Sequence, residues 1–200
     1  LTFASRLGGW LFRQRTWLPL PLVAALLAFP PPPDAPGASL WIVGALIVAI
    51  GEAIRLWAVH HIGAISRTRS DRLGPLVSSG PFALIRNPLY VGNILLWTGF
   101  AVSAQLVWLA PIIVVLLTLE YHAIVRWEEG LLAQRIGEPY SQYAAKVPRW
   151  LPSLSRLSSS RAQAMPVAAA FPWRETLFSE RGTLIAIGAG FLLLWLKARF

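Results

Sequence analysis

Lysine and arginine are missing from two long stretches of this chain, residues 16–54 and 87–125, and gather in the segments before, between and after them. Both stretches are dominated by Leu, Ile, Val, Ala and aromatic residues. In hydrocarbon there is no water to bond, so each segment must satisfy its own N–H and C=O groups, which makes the spans helical. Segments of about 20 residues match a hydrocarbon core about 30 Å thick. The apolar pattern gives four spans, at about 17–29, 40–59, 88–104 and 106–125, the first interrupted by Pro19 and Pro21 and closed by the run Pro30-Pro31-Pro32-Pro33. The third and fourth nearly touch, so Ser103, Ala104 and Gln105 form a tight hairpin turn. A fifth segment, 183–196, is short for a full crossing and either snorkels its flanking Lys197 and Arg199 or lies in the interface. The expected fold is therefore an all-α integral membrane protein with four to five transmembrane helices and a cytoplasmic helical region.

Composition agrees with that class. Charged residues make up 14% of the chain, against about 25% in soluble domains. Ten Trp residues suit the headgroup interface. Cysteine is absent, which removes disulfides, thiolate nucleophiles and Cys-held metals, and the three His residues form no metal-binding pair. The formal charge of +9 is spread through loops rather than collected in a basic domain, so anionic lipid headgroups, not nucleic acid, are the expected partners. Arg6, Arg13 and Arg15 precede the first span; Arg67, Arg69, Arg72 and Arg86 follow the second; Arg126, Arg135, Lys146 and Arg149 follow the fourth. The positive-inside rule puts all three groups, and with them the N-terminus, in the cytoplasm. The chain opens on Leu1, from which a trimmed start is expected, and no signal-peptide cleavage site is visible. The organisation reads as N-terminal helices over 1–60, a core over 61–152 containing the hairpin 88–125, a Ser-, Ala- and Pro-rich linker over 153–182, and a last helix over 183–200.

Polar residues are concentrated in two patches, His60 to Tyr90 and Tyr121 to Pro152, each adjoining the third and fourth helices. Because those helices are antiparallel neighbours, Pro88 to Tyr90 and Arg126 to Glu129 come to the same end of the hairpin, making a composite pocket open to water and to lipid. Glu128 and Glu129 point about 100° apart on a helix; one facing inward suits a ribose diol, an ammonium or a proton in transfer, and the pair equally suits a plain helix terminus. Asn87 is expected to cap the third helix with Pro88 as its first residue. Glu52 and Arg55, at i and i+3, are expected to pair, with a role at a substrate entrance as the sharper option. His60 and His61 close the second span as interfacial residues.

The strings LVSSGPFALIRNPLYVG and EEGLLAQRIGEPYSQYAAKVPRWLP, separated by a helical hairpin, closely resemble the isoprenylcysteine carboxyl methyltransferase family, which shares its C-terminal pattern with the phospholipid methyltransferases. The resemblance covers about residues 52–152. It implies S-adenosylmethionine bound at the cytoplasmic end of the hairpin and methyl transfer to a lipidic or amphiphilic acceptor, an isoprenylcysteine-like carboxylate or a phospholipid amine, arriving from the bilayer. By that resemblance Gly74, Pro75, Leu76 and Val77 line the cofactor, with Phe82, Asn87, Pro88, Leu89, Tyr90 and Glu128. Three positions depart from the family pattern: Asn87 stands in place of a His, Phe82 in place of a Tyr, and Ile124 where an Arg holds the substrate carboxylate. Glu129, Arg126 and His122 are the candidates for the acceptor side, with Tyr140 and Arg149 beside them. No metal is needed for transfer of a sulfonium methyl by in-line displacement, where positioning supplies most of the acceleration. Two alternatives stay open: an NADPH-dependent sterol-type reductase, for which Arg67, Arg69 and Arg72 would meet the extra phosphate, and a non-catalytic lipid-binding or assembly subunit.

Overall fold

A computed structural model describes residues 3–33, 37–63, 76–152 and 170–199. Among the described residues the regular structure is all helical: α1 (Phe3–Gln14), α2 (Leu20–Ala28), α3 (Gly37–Ile62), a 3-10 turn (Gly80–Ala83), α4 (Pro88–Ser103), α5 (Leu109–Ile136), α6 (Glu138–Lys146) and α7 (Trp173–Lys197). Helices α3, α5 and α7 are long and apolar enough to cross a membrane; α4 is apolar and shorter.

Helices α3 and α4 approach closely because both carry glycine at a seven-residue interval. Gly44 lies against Gly99, and Gly51 against Gly92, an antiparallel register. A Cβ on Gly99 would sit 2.7 Å from the Gly44 carbonyl oxygen, and one on Gly51 2.8 Å from that of Gly92. The α4–α5 turn falls where the hydropathy break predicts it. Gln105 takes a φ of 63°, and Leu106 N–H bonds the Ala101 carbonyl at 2.9 Å. Helix α5 has 28 residues, about 42 Å at 1.5 Å per residue, so its last turns project past a hydrocarbon core of about 30 Å. Gly137, at φ 71°, ends α5, and α6 starts at once with Pro139 in its first turn.

Three elements differ from the sequence expectation. The first apolar span contains only a nine-residue helix, α2, since Pro19 and Pro21 lack N–H groups and can sit only in its first turn. The amphipathic α1 ahead of it is an addition. Its Gly8 and Gly9 lie directly on Ala123 and Trp127 of α5, and Phe12 packs its ring 5.0 Å from that of Trp127. Helix α7 begins at Trp173 rather than near residue 183, so the last part of the expected linker is helical. The charges in this added stretch of α7 are compensated: Glu180 is 2.6 Å from Arg55, and the Arg181 guanidinium lies 3.7 Å from the centre of the Phe178 ring. At the other end of α7, Lys197 Nζ donates to the carbonyls of Leu26 and Phe29 at 2.6 and 2.5 Å. It thereby ties α7 to the last turn of α2, whose terminal carbonyls have no partner within the helix.

Candidate active site

The Gly80–Ala83 turn is shaped by its own residues and then fixed by a distant one. Gly80 has φ 58°, and a Cβ there would collide with the His61 ring. Phe82 N–H bonds the Ser79 carbonyl at 3.2 Å, and Leu84 N–H that of Pro81 at 3.1 Å. Helix α6 and the tail after it then hold the turn in place. Tyr143 donates its hydroxyl to the Phe82 carbonyl at 2.8 Å, Arg86 N–H bonds the Pro148 carbonyl at 2.9 Å, and Asn87 Nδ2 donates to the Arg149 carbonyl at 3.2 Å. Asn87 thus occupies the N-cap position of α4 without making a side-chain cap. Its amide serves the tail instead, contrary to the capping role expected from sequence. Pro88 is the first residue of α4, as expected.

The two adjacent glutamates have different surroundings. Glu128 accepts a hydrogen bond from the Tyr90 hydroxyl at 3.0 Å, and the Tyr90 ring lies 4.7 Å from that of Tyr121. Glu129 is gripped by two guanidinium groups: Arg149 approaches with Nε at 3.0 Å and Nη2 at 2.6 Å, and Arg86 with Nη1 at 2.8 Å. This two-toothed Arg149 pair is the strong form of a charge-assisted bond, and it raises the Arg149 pKa further. Beside it, burial pushes the Tyr140 and Tyr143 phenols upward, so both stay protonated at neutral pH.

These groups open onto one cavity of about 930 Å³, near the top of the usual range of about 300–1,000 Å³ for ligand pockets. Leu76 and Val77 enter its wall from the segment before the turn, Phe82 from the turn, Asn87, Pro88, Leu89 and Tyr90 from the start of α4, and Glu128 from α5. Gly74 and Pro75 lie outside the described residues. Arg86, Glu129, Tyr140 and Tyr143 complete a polar mouth. Further in, Leu96, Trp97, Phe100, Ile187 and Leu194 give apolar walls, and Phe12 of α1 and Arg15, just past its end, close one side.

The three acceptor-side candidates fall in different places. Arg126 is exposed and outside the cavity wall. His122 also lies outside it, stacked with the Trp150 ring at 6.4 Å. Both sit two residues, or 200° of helical rotation, from the wholly buried Ile124, and so point about 120–160° away from Glu128, which lies one turn beyond Ile124. Glu129 is in the wall, but both its oxygens are engaged by Arg86 and Arg149, which makes it a clamp more than an available base.

Asn93, Glu180 and Thr183 of the cavity wall escaped the sequence reading, and Arg55 has more partners than it expected. Arg55 does more than pair with Glu52, from which its Nε lies 3.5 Å. It donates to Asn93 Oδ1 at 2.5 Å, Glu180 Oε2 at 2.6 Å and Thr183 Oγ1 at 3.2 Å. Asn93, a polar residue inside an apolar span, was the available signal, since such residues face bundle interiors or cavities. Among the described residues no group of three or more His, Asp or Glu is placed to hold a metal.

Three helices long and apolar enough to cross a membrane contribute to a cavity with a polar mouth and an apolar body, the architecture of an integral membrane protein. Residues 40–138 match the phospholipid methyltransferase family model, and over that stretch the chain is similar to this family and to the isoprenylcysteine O-methyltransferases. It is 33% identical over 122 residues to the nickel-cobalt-cadmium resistance protein NccN of Alcaligenes xylosoxydans xylosoxydans, covering 61% of this chain and 54% of that one. It is 34% identical over 118 residues to the probable protein-S-isoprenylcysteine O-methyltransferase of Oryza sativa subsp. japonica, covering 55% and 60%. With the human protein-S-isoprenylcysteine O-methyltransferase the figures are 32% over 122 residues, 56% and 41%. The chain spans about half the length of the curated relatives it matches. No solved structure gives a significant match.

Proposed function

We propose that this protein transfers a methyl group from S-adenosylmethionine to a lipidic or amphiphilic acceptor at the cytoplasmic face of the membrane. The observation that carries the reading is the union, in one cavity, of the Tyr90–Glu128 pair with apolar walls long enough to accept a lipid tail. The residues present fit the cofactor. A carboxylate oriented by a phenol suits a ribose diol, and the turn at Gly80–Ala83 brings main chain to the cavity edge, where Leu76, Val77, Phe82, Asn87, Pro88, Leu89, Tyr90 and Glu128 would hold the nucleoside and its amino-acid part. When bound, S-adenosylmethionine supplies a methyl group on a cationic sulfur.

The protein's part is positioning. Tyr90 fixes one Glu128 oxygen and leaves the carboxylate's other lone pairs directed by that bond. Arg86 and Arg149, through Glu129, lock the end of α5 to the turn and the tail, so the walls keep their spacing without a ligand. Apolar residues beyond Tyr90 exclude water from the reacting end and seat the tail. Orientation of this kind is worth roughly 7–11 kcal/mol in well-aligned reactions.

Calorimetric titration of the detergent-purified protein with S-adenosylmethionine and with NADPH tests the reading, alongside Glu128→Ala and Tyr90→Phe. Binding of S-adenosylmethionine that is lost in Glu128→Ala supports it. Binding of NADPH in its place transfers the protein to the reductase class. Binding of S-adenosylmethionine without turnover on any lipid would mark a non-catalytic subunit.

A further inference from the structure

Helix α1 has two faces with different surroundings. Gly8 and Gly9 are buried against Ala123 and Trp127 of α5, and the buried Phe12 sets its ring 5.0 Å from that of Trp127. A Cβ on Gly8 would collide with the Ala123 carbonyl oxygen, so the backbone of α1 lies directly on α5. Phe12 lines the cavity, as do Arg15 and Thr16 just past the helix end. The seating of α1 therefore sets one wall of the site.

The other face turns away from the bundle. Arg6, Trp10 and Arg13 stand at i, i+4 and i+7, within about 60° of one another, and Trp10 lies about 160° around the helix from Phe12. All three are exposed, Trp10 at 49%, with Leu7 beside them at 40%. No Asp or Glu occurs before Asp34, so the charges on this face are all positive.

Depth decides what that face meets. Residues 87–125 contain no Lys or Arg, and Arg126 is the first cation after them. The α5 residues under α1, Ala123 and Trp127, lie on either side of that boundary. Helix α1 thus rests where α5 leaves the hydrocarbon, and the exposed Arg126 adds a cation on the same turn. Indole rings favour this level, and a helix with aromatic and basic residues on its free side lies in the plane of the interface. Phosphate oxygens accept paired bonds from a guanidinium, which makes an anionic headgroup the chemical complement of two arginines flanking an indole.

We propose that the Arg6–Trp10–Arg13 face of α1 binds anionic phospholipid headgroups in the leaflet around the cavity mouth, and that this contact seats α1 on α5 and raises cofactor affinity. Lipid and α5 then hold the helix from opposite sides, which steadies the Phe12 wall. The effect on the cofactor rests on the methyl-transfer reading; the lipid contact does not.

The chain has no cysteine, so Leu7→Cys carries a single polarity-sensitive fluorophore on this face. The full chain is placed in nanodiscs of phosphatidylcholine alone, and of phosphatidylcholine and phosphatidylglycerol in equal parts. Emission is expected to shift to the blue in the anionic discs. The shift should vanish in the double variant Arg6→Gln/Arg13→Gln, since each arginine near an anionic surface is worth about fivefold in binding. It should also vanish with both arginines present in about 1 M salt, where the screening length is about 3 Å. That arm decides the matter if the double variant does not fold. Calorimetry in the same discs, with Leu7 intact, is expected to show S-adenosylmethionine bound about fivefold to tenfold more tightly in the anionic lipid, the low end of coupling between sites. The double variant should bind it equally in both.

The same emission in both discs, or a shift that survives the double variant and the salt, overturns the lipid contact. An equal blue shift from soluble polyglutamate in phosphatidylcholine discs gives the face to an acidic protein and also overturns it. A shift with unchanged S-adenosylmethionine affinity overturns the coupling. A shift with no S-adenosylmethionine binding in either disc overturns the methyl-transfer reading, and the coupling with it, while the lipid contact stands.

Discussion

Replacing Glu129 tests whether it is a clamp or a reacting base. Its carboxylate sits between Arg149, at 3.0 and 2.6 Å, and Arg86, at 2.8 Å. Side-chain exposures are 14% for Glu129, 27% for Arg149 and 14% for Arg86. Glu129→Ala leaves two guanidinium groups facing each other without their counter-charge. A fully buried pair broken in this way loses about 3–5 kcal/mol and an exposed one about 0–1. With partial exposure, the expected loss is about 2–3 kcal/mol, roughly thirty- to a hundred-and-fiftyfold in the balance between locked and unlocked tail. Because α6 and the tail hold the Phe82 carbonyl and the Asn87 amide, that loss should reach the cofactor site. Thermal unfolding in one fixed detergent and S-adenosylmethionine titration are the two assays, run on Glu129→Ala, Arg149→Ala and the double variant. The cycle should give a coupling of about 1–3 kcal/mol. The clamp argument is refuted if Glu129→Gln unfolds at the wild-type temperature, the cycle shows no coupling, and turnover alone disappears.

Gly99→Ala places a methyl group 2.7 Å from the Gly44 carbonyl oxygen and from Val48, so it should lower stability by about 1–3 kcal/mol; Gly130→Ala, with nothing within 4 Å of the new atom, should raise it by up to about 1 kcal/mol, both read by thermal unfolding. Tyr90→Phe deletes one bond to a carboxylate and should weaken S-adenosylmethionine binding about tenfold, less than Glu128→Ala, by calorimetry. Lys197→Met removes the bonds that close the last turn of α2; engineered cysteines across α2 and α7 should then cross-link more slowly. Burial raises the Tyr140 and Tyr143 pKa values in the folded chain. The folded state therefore keeps protons that the unfolded state sheds near pH 10, and stability present below that pH falls as pH rises through it. Tyr143→Phe should flatten that alkaline loss while costing about 1 kcal/mol at pH 8 through its bond to Phe82.

Much of the architecture could be read from the chain because the membrane permits few backbone forms. Two cation-free stretches indicated α3, α4 and α5, and the near contact of two spans fixed the hairpin. Once those helices were antiparallel neighbours, Tyr90 and Glu128 had to meet at one end, and their 3.0 Å bond lies there. Local chemistry also placed Pro88 at the start of α4 and glycine in the turn at Gly80. What stayed hidden depends on partners distant in sequence. Nothing near Asn87 indicates that its amide serves the Arg149 carbonyl rather than α4. Nothing near Glu129 announces two arginines, from 43 residues before it and 20 after.

Helix α7 shows the division most sharply. Read alone, Glu180 and Arg181 end an apolar segment, because a charge in a span is unfavourable unless it is paired. Only the packed bundle supplies Arg55 from α3, and with it a longer helix, a polar cluster and one wall of the cavity. The sequence by itself determined the all-helical class and the α4–α5 hairpin, since burial in lipid is decided residue by residue. The tertiary structure decided which charges are paired and which side chains share the cavity, because those energies belong to pairs.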